Sequence, residues 1–527
     1  MRFFNTEGPV KCEKHYCIEP LERFGLEQVL TLIDREKYFI LHAPRQTGKT
    51  TCLLALMKYL NRQGDYKCLY INIESAQGAR GNVKRAIKAI LNELATSARL
   101  YLKDTFIRDR WHDVLDKSGE DTALNEMLTL WSEQSGSPLV LLIDEIDALI
   151  GDTLISVLRQ LRSGYARRPE MFPQSIVLCG LRDLRDYRMD VSGDKTELTG
   201  VSPFNIKAES RKLDNFTKDD IGCLYAYHTE ETGQTFNAGV MESIWELTNG
   251  QPWLVNALAD EVTFKMEKNR DRSVSVTVEM IEQAKENIIH RRETHIDHLV
   301  DKLREERVKH VMEPLVAGLE VKQNRPDDIQ YLLDLGLLRE SDQGIVIANG
   351  IYREIIPREL TYTTQENFKP LFQTLWYLQD DGRLDMEKLC SDFQQFFREN
   401  SESWIQQFDY LEAGPQLLLQ AFLQRIINSG GRVEREYGLG RMRTDILIIW
   451  PYEKGVQRVV IELKIRYKDM EKTIATGLEQ TWKYIDQCGA DEGHLVIFDR
   501  SKNKSWDQKI FYQEKAFKNK KIGVWGM

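Results

Sequence analysis

Two groups of residues in this chain have the types and spacing to act on phosphate. The first is Ala43-Pro44-Arg45-Gln46-Thr47-Gly48-Lys49-Thr50-Thr51, set between the apolar run Tyr38–His42 and a helical stretch, Thr50–Tyr59. In a strand–loop–helix context, the backbone N–H groups of the loop and of the helix N-terminus can cradle phosphate oxygens. Lys49 would reach the outer phosphates of a nucleotide, and the Thr50 hydroxyl would bind Mg²⁺. The first glycine of the G-x4-G-K-[ST] pattern is Ala43 here. Farther along, Leu139–Ile143 is a continuous apolar run, as in a strand buried on both faces, and it ends in Asp144 and Glu145. Asp144 would hold Mg²⁺, usually through water, and Glu145 would orient the water that attacks the γ-phosphate of ATP. An acidic strand end by itself is equally a satisfied cap; the loop is what gives it a partner.

The second group lies near the C-terminus. Asp445 precedes the strand Ile446–Trp450, and a turn at Pro451–Gln457 leads to the strand Val459–Lys464. A hairpin of these strands would bring Asp445 close to Glu462 and Lys464. Glu462, Lys464 and Arg466 share one face of the second strand, and Ile461, Leu463 and Ile465 share the other. Two carboxylates can hold Mg²⁺ or Mn²⁺, which polarises a phosphodiester and lowers the pKa of an attacking water. A lysine beside them can orient that water and offset the growing charge. The pattern alone also fits charged hairpins without chemistry. Gln480 and Tyr484 follow at i,i+4 spacing on the next helix. Glu412 stands before a helix running from about Pro415 to Asn428, where a helix cap is one reading.

A chain of 527 residues is too long for one core. The fold expected is α/β and multidomain. Residues 1–210 alternate strands and helices, including Cys68–Ile73, Val83–Leu94 and Ser175–Cys179, which implies a parallel sheet covered on both faces. Residues 211–315 read as a helical lid, opened by the N-cap Thr217 with Asp219 and Asp220 behind it. Residues 316–360 order helix, short strand, turn and strand, which suits a winged helix. Residues 361–403 read as a charged helical connector, and 404–527 as a second α/β domain.

No apolar run reaches the ~20 residues needed to span a bilayer, and Met1-Arg2-Phe3-Phe4-Asn5 lacks the order of a signal peptide. A cytoplasmic protein without membrane contact is expected. The eight cysteines are scattered without C-x2-C spacing, so a reduced state is expected, with Cys12 and Cys17 structural or incidental. A net charge of −9 argues against non-specific coating of nucleic acid, but a local basic surface is sufficient for contact. One such stretch runs from Arg500 to Lys521, where eight basic and two acidic residues are interleaved with Trp506, Phe511, Tyr512 and Phe517. It reads equally as a solvated terminal helix and strand.

The phosphate loop and Ile143-Asp144-Glu145-Ile146-Asp147 resemble those of archaeal-type and STAND ATPases within the AAA-related class. By that resemblance, Val177–Arg182 is similar to the sensor strand, with Arg182 as reporter of the γ-phosphate. Asn249-Gly250-Gln251-Pro252 is similar to the G-x-P lid turn that approaches the nucleotide through Pro252. Ser202–Ile206 also recurs in a bacterial AAA-like family, and His15–Pro20 resembles the adenine-contacting segment. The resemblance covers roughly residues 1–360 and implies a P-loop parallel-sheet ATPase core with helical lid and winged helix. It also implies a homo-oligomer with an arginine finger from a neighbour; Arg167 and Arg168 are candidates, with a solvated basic turn as the alternative.

Asp445, Glu462, Lys464 and the Gln480–Tyr484 pair resemble one branch of PD-(D/E)XK nucleases. That resemblance implies that Glu412 completes the metal shell. Residues 412–527 look like the α/β restriction-endonuclease-like domain found fused to bacterial AAA-like ATPases. Three readings follow: an ATP-controlled nuclease acting on nucleic acid, DNA favoured, in defence against foreign or mobile DNA; a STAND-type switch whose effector is released by a protein trigger; and a C-terminal module that binds without turnover.

Overall fold

The computed structural model describes residues 2–182, 207–291, 293–316, 326–342, 344–360, 377–405, 418–420, 422–423, 431–439, 442–466, 469–499, 501 and 504–527. It divides into two compact units, residues 1–295 with 330–338, and residues 296–329 with 339–527.

The first unit is built on a five-stranded parallel sheet, β1 (Tyr38–His42), β2 (Lys67–Asn72), β3 (Leu139–Asp144), β4 (Ser175–Gly180) and β5 (Lys207–Lys212), in the order β2-β3-β4-β1-β5. The central strands are buried throughout, as expected for a parallel sheet with helices on both faces. Side chains alternate between two cores. Phe39, Leu41, Val140, Leu142 and Val177 pack with the helix Lys49–Gln63, while Ile40, Leu141, Ile143 and Leu178 pack with the helices Val83–Ser97, Ala123–Gln134 and Asp152–Ser163. The lid opens as expected: Thr217 and Asp220 form a capping box on the helix Lys218–Thr232.

After the lid come a helix, Pro326–Asp334, a two-stranded ribbon of β6 (Leu338–Ser341) and β7 (Gly344–Ile347), and a helix, Gly350–Leu360. The closing helix Gly350–Leu360 was not part of the helix, short strand, turn and strand read from the sequence.

The second sheet holds β8 (Arg432–Leu439), β9 (Met442–Tyr452), β10 (Gly455–Arg466), β11 (Glu492–Asp499), β12 (Phe511–Phe517) and β13 (Lys520–Gly526), ordered β12-β13-β11-β10-β9-β8. β10, β11 and β13 run parallel, and the other pairs are antiparallel. The helix Met470–Cys488 covers one face through Leu478, Tyr484 and Ile485, packed on Leu447, Val460 and Leu495.

The opposite face corrects the expected domain plan. Residues 361–403 were expected to form a charged connector, yet the helix Met386–Ile405 supplies Leu389, Phe393, Phe396 and Phe397 to the core of this sheet, beside Ile446, Ile461 and Phe498. Its charges lie on the outer stripe while the aromatic stripe is buried, so the C-terminal domain begins before residue 404. Two smaller corrections concern loops. β9 and β10 pair down to Gly455 and Tyr452, leaving Glu453 and Lys454 as the turn where Pro451–Gln457 was expected. Cys12 and Cys17, expected reduced, are joined as a disulfide, because the turn at Lys11–His15 brings their Cα atoms to 5.3 Å.

Phe393 is fully buried against Phe397 and Phe422, with ring centroids 5.8 and 5.2 Å apart. Phe393→Ala is expected to destabilise the C-terminal unit by about 3–5 kcal/mol in denaturant unfolding followed by tryptophan fluorescence. A connector helix would lose under about 0.5 kcal/mol.

Candidate phosphate site and candidate metal site

The loop Ala43–Gly48 leaves β1 and enters the helix at Lys49. Gly48 has φ 94°, and a Cβ there would fall 2.8 Å from the Arg23 guanidinium. Thr47 is buried and its hydroxyl donates to the Pro44 carbonyl at 2.8 Å. Lys49 is also buried, its Nζ donating to the carbonyls of Ala43 and Pro44 at 2.8 and 2.9 Å. Arg45 and Gln46 are exposed at the loop tip, Gln46 with φ 58° and its Oε1 2.6 Å from His295 Nδ1. Thr51 faces the N-terminal segment, its hydroxyl accepting from Val10 N–H at 3.0 Å.

Asp144, at the end of β3, has no solvent exposure. Its Oδ2 accepts from the Thr50 hydroxyl at 2.7 Å and from the Tyr70 hydroxyl at 3.0 Å, and its Oδ1 accepts from Glu145 N–H at 3.0 Å. The structure therefore brings Thr50 and Asp144 together from residues 94 apart in sequence. A helix N-terminus, a buried lysine, a hydroxyl and a carboxylate fit Mg²⁺–nucleotide. Glu145 has φ 59°, uncommon for a side chain of its type. Burial, then the charge of Asp144, raises its pKa. Burial likewise pushes Asp147 up to about 6, against the Leu181 N–H that its Oδ2 accepts.

Arg182 follows β4, with its guanidinium 4.9 Å from the centre of the Tyr331 ring. Pro252 begins the helix Pro252–Asp260, capped by Gln251, and Gly250 (φ 72°) accepts from Phe216 N–H at 2.8 Å. Gly250 presses so closely on the Phe216 carbonyl that no Cβ fits. His15 is buried, its Nδ1 accepting from Lys11 N–H at 3.0 Å. Ser202–Ile206 lie outside the described residues.

Arg167 and Arg168 are not the solvated turn expected as the alternative to a finger. Arg168 lies over Tyr165 at 3.4 Å and bonds the Glu36 carbonyl, while Arg167 bonds Asn125 and lies 5.6 Å from the Phe172 ring centre. Both are engaged within their own chain. Tyr70 and Arg23 were not anticipated near the phosphate loop or its acidic strand, and Asp147 was read only as part of the acidic strand end, without a role of its own. Tyr70 carries no motif; it reaches Asp144 because β2 lies beside β3.

In the second sheet, Ile446 pairs with Ile461, so Asp445 and Glu462 are the next residues along adjacent strands. Leu447 and Val460 mark their face as the one under the helix Met470–Cys488. Asp445 Oδ2 accepts from Leu463 N–H at 2.8 Å, and Lys464 Nζ donates to Glu462 Oε1 at 2.6 Å. Glu462 is 2% exposed, and its Oε2 is buried without a hydrogen-bond partner among the described residues. Burial, then the charge of Asp445, raises its pKa well above the usual carboxylate range, and Lys464 opposes the rise. An orphaned carboxylate oxygen beside a second carboxylate fits a divalent cation, whose charge would relieve both effects. Gln480 and Tyr484 are on the covering helix, where Tyr484 is buried and Gln480 Oε1 is buried without a partner among the described residues. Glu412 lies outside the described residues, and among the described ones no three His, Cys, Asp or Glu are grouped to hold a metal.

At the end of the same strands, Asp499 is fully buried and bonds Arg466, Ser501 and Lys504. Burial alone would raise its pKa, but these hydrogen bonds outweigh it and hold the carboxyl well below its usual range. The basic stretch is in part paired, Lys504 with Asp499 and Lys521 with Glu514. Trp506 packs edge-on to Phe397, while Tyr512 stacks on Trp525.

Because the folded Asp499 pKa is depressed, its stabilisation is present at neutral pH and is lost as pH falls through the acid range. Asp499→Asn is expected to cost about 3–5 kcal/mol at neutral pH by removing the charge that Arg466 and Lys504 bind, and to flatten the acid limb of stability against pH. Urea unfolding across that range measures both.

No curated protein matches the chain. Among solved structures, a Walker-type ATPase of Pyrococcus abyssi is 16% identical, with 67% of this chain and 99% of that one covered at TM-score 0.46. Cdc6p of Pyrobaculum aerophilum is 13% identical, covering 65% and 93% at TM-score 0.35. The Thermotoga maritima RuvB Holliday junction branch migration motor is 14% identical, covering 64% and 95% at TM-score 0.34. None of these likenesses adds to the argument from the site. No helix among the described residues is long and apolar enough to cross a membrane. The AAA-like domain family matches residues 7–357, and this chain, with its P-loop ATPase-type core, belongs to that family.

Proposed function

We propose that this protein hydrolyses ATP at the P-loop and, under that control, cleaves nucleic acid at Asp445, Glu462 and Lys464. The observation that carries the second half is Glu462: a buried carboxylate with one oxygen on Lys464 and the other without a partner among the described residues, opposite Asp445 one step beyond the Ile446–Ile461 pair. A fold gains no stability from such a group, so its presence points to a ligand.

At the ATP site, Lys49 and the loop amides would bind the phosphates, and Thr50 with Asp144 would hold Mg²⁺, which offsets charge on the γ-phosphate. Glu145 would accept a hydrogen bond from the attacking water, and Tyr70 keeps Asp144 oriented toward Thr50. At the second site, Asp445 and Glu462 would hold Mg²⁺ or Mn²⁺, which supplies Lewis-acid polarisation of the phosphodiester. Leu463 N–H fixes one Asp445 oxygen, and Lys464 stands where it can orient water and offset charge. DNA is the favoured substrate, in a homo-oligomer, and defence against foreign or mobile DNA is the role suggested by the fusion.

A second reading, a STAND-type switch answering a protein trigger, is favoured by one observation. The segment Gln330–Leu338 of the winged-helix region is held by the ATPase unit, with Gly336 against Pro44 of the phosphate loop and Tyr331 under Arg182.

Lys49→Ala is expected to lower ATP turnover by at least about 100-fold in a phosphate-release assay. Plasmid, linear and single-stranded DNA, and RNA, incubated with Mg²⁺ or Mn²⁺ with and without ATP, test the second half. Wild-type protein is expected to cleave DNA, with Asp445→Ala, Glu462→Ala and Lys464→Ala each at least about 100-fold slower. Cleavage by all three variants at the wild-type rate would sink the nuclease assignment. Binding without cleavage, unchanged in Lys464→Ala, would favour a binding module.

A further inference from the structure

We infer that Asp147 is a positioning residue for ATP hydrolysis, fixing the sensor residue Arg182 against the acidic strand end. This rests on the P-loop reading of Lys49, Thr50, Asp144 and Glu145. Three structural lines converge on the two residues before Arg182. Gly180 is the last residue of β4, and its carbonyl accepts from Ala43 N–H, the first amide of the phosphate loop, at 3.3 Å. Leu181 N–H donates to Asp147 Oδ2. Asp147 itself lies in the short turn Ile146–Ala148 directly after Glu145.

The approach of the carboxylate depends on the residue opposite being glycine. A Cβ on Gly180 would fall 2.7 Å from Asp147 Oδ2 and 2.9 Å from Ile146 Cγ2. Both contacts are shorter than a side chain tolerates, so the carboxylate can reach the Leu181 amide only across a bare Cα. The other oxygen of Asp147, Oδ1, is buried and accepts no hydrogen bond among the described residues. A buried carboxylate with one oxygen unsatisfied among the described residues is a costly way to cap a turn if capping is its whole role.

The geometry gives it another one. Asp144 at the end of β3 and Glu145 just beyond it would handle Mg²⁺ and water, and Arg182, two residues beyond β4, would touch the γ-phosphate. Parallel strands hold each other along their length, but beyond their ends the sheet ladder supplies no hydrogen bonds. Register pairing of β3 with β4 stops at Ile143 and Leu178. Asp147 ties the chain after β3 to the chain after β4 beyond that point, so the placement of Arg182 relative to Glu145 follows from the Asp147–Leu181 bond.

The test uses the full-length chain carrying Asp147→Ala, Asp147→Asn, Arg182→Ala and the Asp147→Ala/Arg182→Ala pair. Readouts are kcat and KM for ATP, and the ratio of ADP to ATP dissociation constants measured with fluorescent nucleotides. Asp147→Ala is expected to lower kcat about tenfold with KM nearly unchanged, and to erode the preference for ATP to the level of Arg182→Ala. The double variant is expected to be no worse than Arg182→Ala alone, because one residue acts through the other. Asp147→Asn retains an acceptor for Leu181 N–H and is expected to restore most of kcat; it also guards against a variant that fails to fold. Wild-type behaviour of Asp147→Ala beside an impaired Arg182→Ala overturns the inference. So do effects that multiply in the double variant, no effect of Arg182→Ala, or no rescue by Asp147→Asn. Lys49→Ala separates this failure from that of the P-loop reading: if it binds nucleotide as wild type does, the phosphate site itself is misassigned.

Discussion

The ATPase unit is organised around one buried carboxylate. Asp144 has no contact with solvent, and removing an ionised group from water costs several kcal/mol unless it is fully hydrogen-bonded. Three donors meet that demand: Thr50 from the helix after the phosphate loop, Tyr70 from the neighbouring strand, and the amide of Glu145. Each comes from a different element, so the loop, β2 and the turn after β3 are all located by the same group. The strand order β2-β3-β4-β1-β5 is what puts those elements around it.

The C-terminal sheet solves a related problem less completely. Asp445 is held by Leu463 N–H, but Glu462 keeps one buried oxygen without a donor among the described residues. The two strands could have been sealed with apolar residues at this register, as they are one step away at Ile446 and Ile461. A buried carboxylate at Glu462 departs from the packing rule that the neighbouring apolar pair follows. Asp499, by contrast, is fully satisfied by Arg466, Ser501 and Lys504, and behaves as structure.

Much of the first unit was legible in the chain because its signals are local. An apolar run without alternation marks a strand buried on both faces, and β1, β3 and β4 fall where Tyr38–His42, Leu139–Ile143 and Ser175–Cys179 predict them. Thr217 and Asp220 announce the lid helix through a capping box that needs only four residues. The stretch 361–403 misled for the opposite reason. Its charges are conspicuous in sequence, but Phe393, Phe396 and Phe397 lie on one helical stripe, and only the sheet opposite shows that the stripe is covered.

By itself the sequence determined on which face of their strands the candidate residues lie, since side-chain direction in a strand follows a period of two. It therefore put Glu462 with Lys464, and Lys49 with Thr50 at a helix start. Tertiary structure decided which distant groups meet them. Tyr70 reaches Asp144 only because β2 is the neighbour of β3, and Asp147 reaches Leu181 only because Gly180 offers no side chain. Strand order and close backbone approach are set by the whole core, not by local spacing, so no motif could have announced either contact.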